Sequence, residues 1–87
     1  MLAIKNMQFT HLYKVNGYLK EFNFRKSNSS NEGKVSVDTV DERGNRIIFF
    51  LEKSDTGWKV ITLGLPAWVL EQEPHLHEAI VEGLAAK

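Results

Sequence analysis

From Phe9 to Phe24 apolar and polar residues alternate with a period of two, and the alternation is broken once, at Asn16-Gly17. Asn-Gly is the pair that a type I′ turn requires, because both central residues need positive φ. A two-residue loop there sets Val15 opposite Tyr18, Tyr13 opposite Lys20, His11 opposite Phe22 and Phe9 opposite Phe24. One face of this hairpin carries Phe9, His11, Tyr13, Val15, Tyr18, Phe22 and Phe24. The opposite face is mostly polar, as half-buried antiparallel strands demand.

A second hairpin turns at Asp41-Glu42-Arg43-Gly44, with Asp first and Gly fourth, the order of a type I turn closed by a glycine bulge. That geometry pairs Val35 with Leu51, Val37 with Phe49 and Thr39 with Ile47, all on a core face, and sets Lys34 opposite Glu52 on the other. A third turn at Ser54-Asp55-Thr56-Gly57 leads into Trp58–Leu63 in one of two registers. A three-residue loop puts Ile61 and Leu63 on the core face; a four-residue loop puts Trp58, Val60 and Thr62 there.

From Leu65 the period becomes helical: Leu65, Trp68, Val69, Leu76, Ala79, Ile80 and Leu84 form one apolar stripe. Pro66 suits a first helical turn. Pro74 lacks a donor and its ring collides with a preceding carbonyl, so a kink or a junction of two short helices is expected near Glu73. The stripe keeps phase across Pro74, which favours the kink.

These patterns predict a single α+β domain over residues 1–87. It is an antiparallel β-meander of about five strands, with one kinked C-terminal amphipathic helix packed on one face through Trp68, Val69, Leu76, Ile80 and Leu84. Residues 1–7 are expected to fray. The polar run 27–33 reads as a flexible loop between the second and third strands.

The strand at 46–53 is apolar on both sides, since Ile48 and Phe50 alternate with Ile47, Phe49 and Leu51. A helix on one face cannot cover both. Val40 joins this second face, with either Trp58 and Val60 or Ile61 and Leu63 according to register. A wholly solvated face should not carry Ile48 beside Phe50. Either the first hairpin folds across it, as in a rolled sheet, or the face is a contact surface.

Composition narrows the function classes. Eleven Lys and Arg balance eleven Asp and Glu, so no global field attracts phosphate or an anionic membrane. There is no Cys, which excludes disulfides and thiolate metal sites. No run approaches the length of a membrane helix. The first residues are too short and polar for a secretory signal, so a cytoplasmic setting is expected.

Three motifs suggest chemistry. Asp55-Thr56-Gly57 spells the triplet of aspartic proteases, but it lacks the apolar strand before it and the small residue after it; Asp and Gly are also turn residues. His75 and His77 are two apart and point to opposite sides of a helix. Glu71, His75, Glu78 and Glu82 do share a helical face, and read as its solvated side. His11 has no nucleophile paired with it and reads as a structural residue. No cofactor, metal or enzymatic activity is expected.

From Lys34 to Leu84 the order of strands, Ile61-Thr62-Leu63, a short turn, Trp68 and an amphipathic helix resembles the small positive-cofactor type of transcriptional coactivator, with its whirly-like β-meander and helix. The resemblance implies dimerisation, single-stranded DNA bound along the sheet, Trp68 as a helix-packing residue, and contacts from Arg25, Lys26, Lys34, Arg43 and Arg46. Zero net charge disfavours that partner. The leading expectation is a non-enzymatic module that forms a homodimer or binds a protein partner through the second sheet face, anchored by Val40, Ile48, Phe50 and Trp58.

Overall fold

The computed structural model describes residues 7–26 and 34–85. The expectations of a frayed 1–7 and a loop at 27–33 therefore lie, Met7 apart, outside the described residues. Five antiparallel strands form one sheet in chain order: β1 (Met7–Val15), β2 (Tyr18–Lys26), β3 (Lys34–Val40), β4 (Arg46–Ser54) and β5 (Gly57–Val60). Two helices follow, α1 (Ala67–Leu70) and α2 (Glu73–Ala85). The fold is the α+β meander that the patterning predicts.

Each hairpin closes as its turn chemistry dictates. Asn16 and Gly17 both take positive φ, and every expected β1–β2 pair from Phe9↔Phe24 to Val15↔Tyr18 is present. At the second turn the Gly44 N–H donates to the Asp41 carbonyl at 3.1 Å, with Gly44 at φ +85°. The Asp41 carboxylate also accepts the N–H groups of Arg43 and Asn45, at 2.9 and 2.8 Å. Those bonds, that of Asn45 first, hold its carboxyl below the usual carboxylate range. The β3–β4 register is the expected one, with Lys34↔Glu52 on the outer face.

The third hairpin takes neither expected loop length: its loop is the two residues Asp55 and Thr56, which gives the core parity expected of the four-residue loop. Ser54 pairs with Gly57, Lys53 with Trp58 and Leu51 with Val60, so Trp58 and Val60 face the core and Ile61 faces outward. Asp55 and Thr56 are the turn itself. The Ser54 hydroxyl donates to the Gly57 carbonyl at 2.8 Å and accepts the Thr56 N–H at 3.3 Å, bonds that close the turn.

Pro74 breaks the helix; it does not merely kink it. After α1 the chain turns through Glu71 and Gln72, so Pro74 falls in the first turn of α2, where a missing N–H costs nothing. The Leu76 N–H then reaches back to the Gln72 carbonyl at 2.9 Å. The apolar stripe survives: Val69, Leu76, Ala79 and Ile80 are buried, and Leu65 and Trp68 pack against them. They meet Phe22, Phe24, Val35, Val37, Phe49, Leu51 and Trp58 on the inner face of the sheet. Among the described residues no helix is long and apolar enough to cross a membrane.

The first hairpin buries its core face unevenly. Phe22 and Phe24 are fully enclosed and Val15 is buried, but Tyr18, expected on that face, is 74% exposed. β1 keeps Phe9, His11 and Tyr13 half-buried as a row of rings, with Phe9 stacked on Phe24 at 4.7 Å and His11 parallel to Tyr13 at 5.9 Å.

Candidate interaction surface

The helices cover only the inner face. The outer face is formed by alternate residues of all five strands, and it divides into two zones. Across β1–β3 runs a polar ribbon in which the Thr10 hydroxyl donates to Asn23 Oδ1 at 2.6 Å and Asn23 Nδ2 donates to Asp38 Oδ1 at 3.0 Å, with Leu12 and Leu19 exposed beside it toward the hairpin tip. Arg46 on β4 approaches Asp38 at 3.9 Å. Across β4 and β5 the face turns apolar: Ile48 is 53% exposed, Phe50 44%, and Ile61, paired with Phe50 through its N–H, 41%. Val40, 46% exposed, extends the patch on the β3 side.

The first hairpin does not fold across this surface. It continues the sheet beyond β3 and brings β1 to the helix side, where Tyr13 meets His75, so Ile48 and Phe50 stay exposed. Of the four anchors expected from sequence, Val40, Ile48 and Phe50 lie together on the outer face. Trp58 does not: it is buried in the core beneath the helices, and Ile61 takes the place it was expected to hold.

The five basic residues of the nucleic-acid alternative are not gathered into one groove. Arg25, Lys34 and Arg46 have outer-face parity, but Asp38, Glu21 and Glu52 are interleaved with them. Lys26 has the parity of Phe24 and faces the other way, and Arg43 stands in the β3–β4 turn.

A second concavity opens on the inner side, where the β2–β3 ladder is short. Only Asn23, Phe24 and Arg25 pair with β3; nearer the hairpin tip the Thr39 hydroxyl donates to the Glu21 carbonyl at 2.9 Å, and Lys20 Nζ donates to the Val40 carbonyl at 3.2 Å. The splayed strands leave a cleft of about 580 Å³ lined by Tyr18, Lys20, Asp41, Glu42 and Trp68. Trp68 closes its base, edge-on to Phe22 and beneath the Lys20 ammonium at 5.1 Å. The helix-packing role that the resemblance implied for Trp68 is the one it has.

The histidines have structural partners. The His77 ring accepts the Trp58 N–H; the His75 ring stacks on Tyr13 at 5.4 Å, and the His75 backbone carbonyl accepts the Tyr13 hydroxyl at 3.2 Å. Partial burial, with Glu82 and Glu78 nearby, pushes the Tyr13 phenol up. Glu71 lies in the turn before α2, so the four-residue acidic face is not one continuous helical face. Among the described residues no three His, Asp or Glu side chains converge as metal ligands.

The alternation and stripe patterns of the sequence do not reveal what α2 does to β5. The N–H groups of Trp58 and Val60 point off the sheet edge and are taken by His77 Nδ1 at 3.0 Å and Glu73 Oε2 at 2.8 Å. The signal was present in the spacing: residues four apart on a helix and two apart on a strand lie at similar intervals.

No protein-family model, no curated protein and no solved structure matches this chain.

Proposed function

We propose that this chain is a non-enzymatic interaction module that assembles with a second copy of itself through the outer face of its sheet. The observation that carries the reading is the apolar patch of Val40, Ile48, Phe50 and Ile61, left uncovered by a fold that uses its helices on the other side. Contiguous apolar surface of this kind, rimmed by charges, marks contact sites on soluble domains. Two further facts favour a second copy over a charged partner. An 87-residue chain encloses a small core and gains from association. Its zero net charge removes the repulsion that keeps like molecules apart.

The test is the molar mass by light scattering over two decades of concentration, for the native chain and for Phe50→Asp. The reading expects a native dimer, and a Phe50→Asp monomer with unchanged circular dichroism. A native chain that stays monomeric throughout would leave the face to another protein. Retention of single-stranded oligonucleotide, lost steeply with added salt, would favour the nucleic-acid alternative.

A further inference from the structure

The outer side of β4 reads Arg46, Ile48, Phe50, Glu52: a cation, two apolar groups and an anion. All four are exposed. With a rise of about 3.3 Å per residue the two charges stand roughly 20 Å apart, placed evenly about the midpoint of the apolar pair. Reversing the strand exchanges the signs at its ends. The row is therefore complementary to itself when read antiparallel.

We infer that two copies pack outer face to outer face about a two-fold axis passing between Ile48 and Phe50, with Arg46 of each copy against Glu52 of the other. This rests on the self-association proposed above and specifies its register. Isologous symmetry requires that whatever residue meets its counterpart does so twice, so the arrangement forms two ion pairs and two Ile48–Phe50 contacts at once. Facing sheets lie about 10 Å apart with strands within roughly 30° of each other, a gap that an Arg and a Glu side chain span together.

The alternative two-fold, along the strand, sets Arg46 on Arg46 and Glu52 on Glu52 and is opposed by like charge. On the neighbouring strand the antiparallel axis lays Lys34 of each copy over Val40 of the other, so β3 adds no like-charge crossing. Arg46 is available for the exchange, because its contact with Asp38 is long and its side chain is 63% exposed.

The experiment uses Arg46→Glu and Glu52→Arg as two separate full-length proteins, studied alone and mixed, by sedimentation. Each alone faces like charges at both crossings and is expected to dimerise at least about tenfold more weakly than the native chain. In an equimolar mixture both crossings pair opposite charges, so dimer formation returns to near the native level. Circular dichroism melts establish that each variant is folded. If each variant dimerises as tightly as the native chain, or if mixing restores nothing, this register is wrong while self-association stands. If the native chain itself is monomeric, the reading beneath it fails and the register falls with it.

Discussion

The backbone N–H of Trp58 donates to Nδ1 of His77 across 3.0 Å, and one helical turn earlier Glu73 takes the N–H of Val60 at 2.8 Å. An edge strand ordinarily leaves such donors open to other chains. Here α2 closes the β5 edge with side chains, which docks the helix by hydrogen bonds as well as by Leu76 and Ile80. His77→Ala is expected to cost about 1–2 kcal/mol in chemical denaturation and to speed hydrogen exchange at the Trp58 amide. Glu73→Ala does the same at Val60. Unchanged exchange at both amides would show that the helix is held by its apolar face alone.

Gly57 completes that junction. It sits at φ +132°, and a Cβ there would lie 2.6 Å from Cε1 of His77. Gly57→Ala is expected to destabilise by about 1–3 kcal/mol, from backbone strain and from displacement of the ring. In a His77→Ala background the steric part disappears, so the two substitutions are non-additive in a double-mutant cycle. Strict additivity would separate Gly57 from the histidine.

Two groups shape the ends of the stability–pH profile. The Tyr13 phenol is raised by burial and by Glu82 and Glu78, so its contribution is fully present below the ordinary tyrosine range, about 10, and is lost as pH rises through the higher folded value. Tyr13→Phe should flatten that alkaline decline. The Asp41 carboxyl is lowered chiefly by the Asn45 N–H, so its contribution is present above the ordinary aspartate range and is lost as pH falls through the folded value. Asp41→Ala should lower stability near neutrality and remove that part of the acid limb. Denaturation midpoints across the pH range, for native and variant chains, check both.

Phe49 and Phe50 are neighbours in sequence with opposite duties. Phe49 is fully buried, and Phe50 is 44% exposed on the outer face. Phe49→Ala is expected to cost about 3–5 kcal/mol. Phe50→Ala is expected to change the stability of the isolated chain by under about 1 kcal/mol while weakening association. Equal losses of stability would put both rings in one core.

Much of the fold was legible because local chemistry and global pattern agreed. Asn16-Gly17 and Asp41–Gly44 each specified a turn, and each turn specified a register that joined apolar residues to apolar residues. The third register was open, since Trp58–Leu63 is apolar on both parities. What decides it is packing, with Trp58 enclosed by the helices and Ile61 left outside. The stripe in phase across Pro74 pointed to a kink and was misleading, because two helices joined by the Glu71-Gln72 turn keep the same phase. The outer patch was legible as a double-sided strand. Arg46 and Glu52 flank it on the same parity, which the second hairpin's register also specifies.

The most direct test of the outer face as an interface follows backbone amide and methyl signals by nuclear magnetic resonance as the concentration of the native chain is raised. The account expects shifts centred on Arg46, Ile48, Phe50, Glu52 and Ile61, with the buried neighbours Phe49 and Leu51 and the inner cleft at Trp68 little changed. Shifts centred on the β1 edge or on that cleft, with Ile48 and Phe50 unmoved, would contradict it.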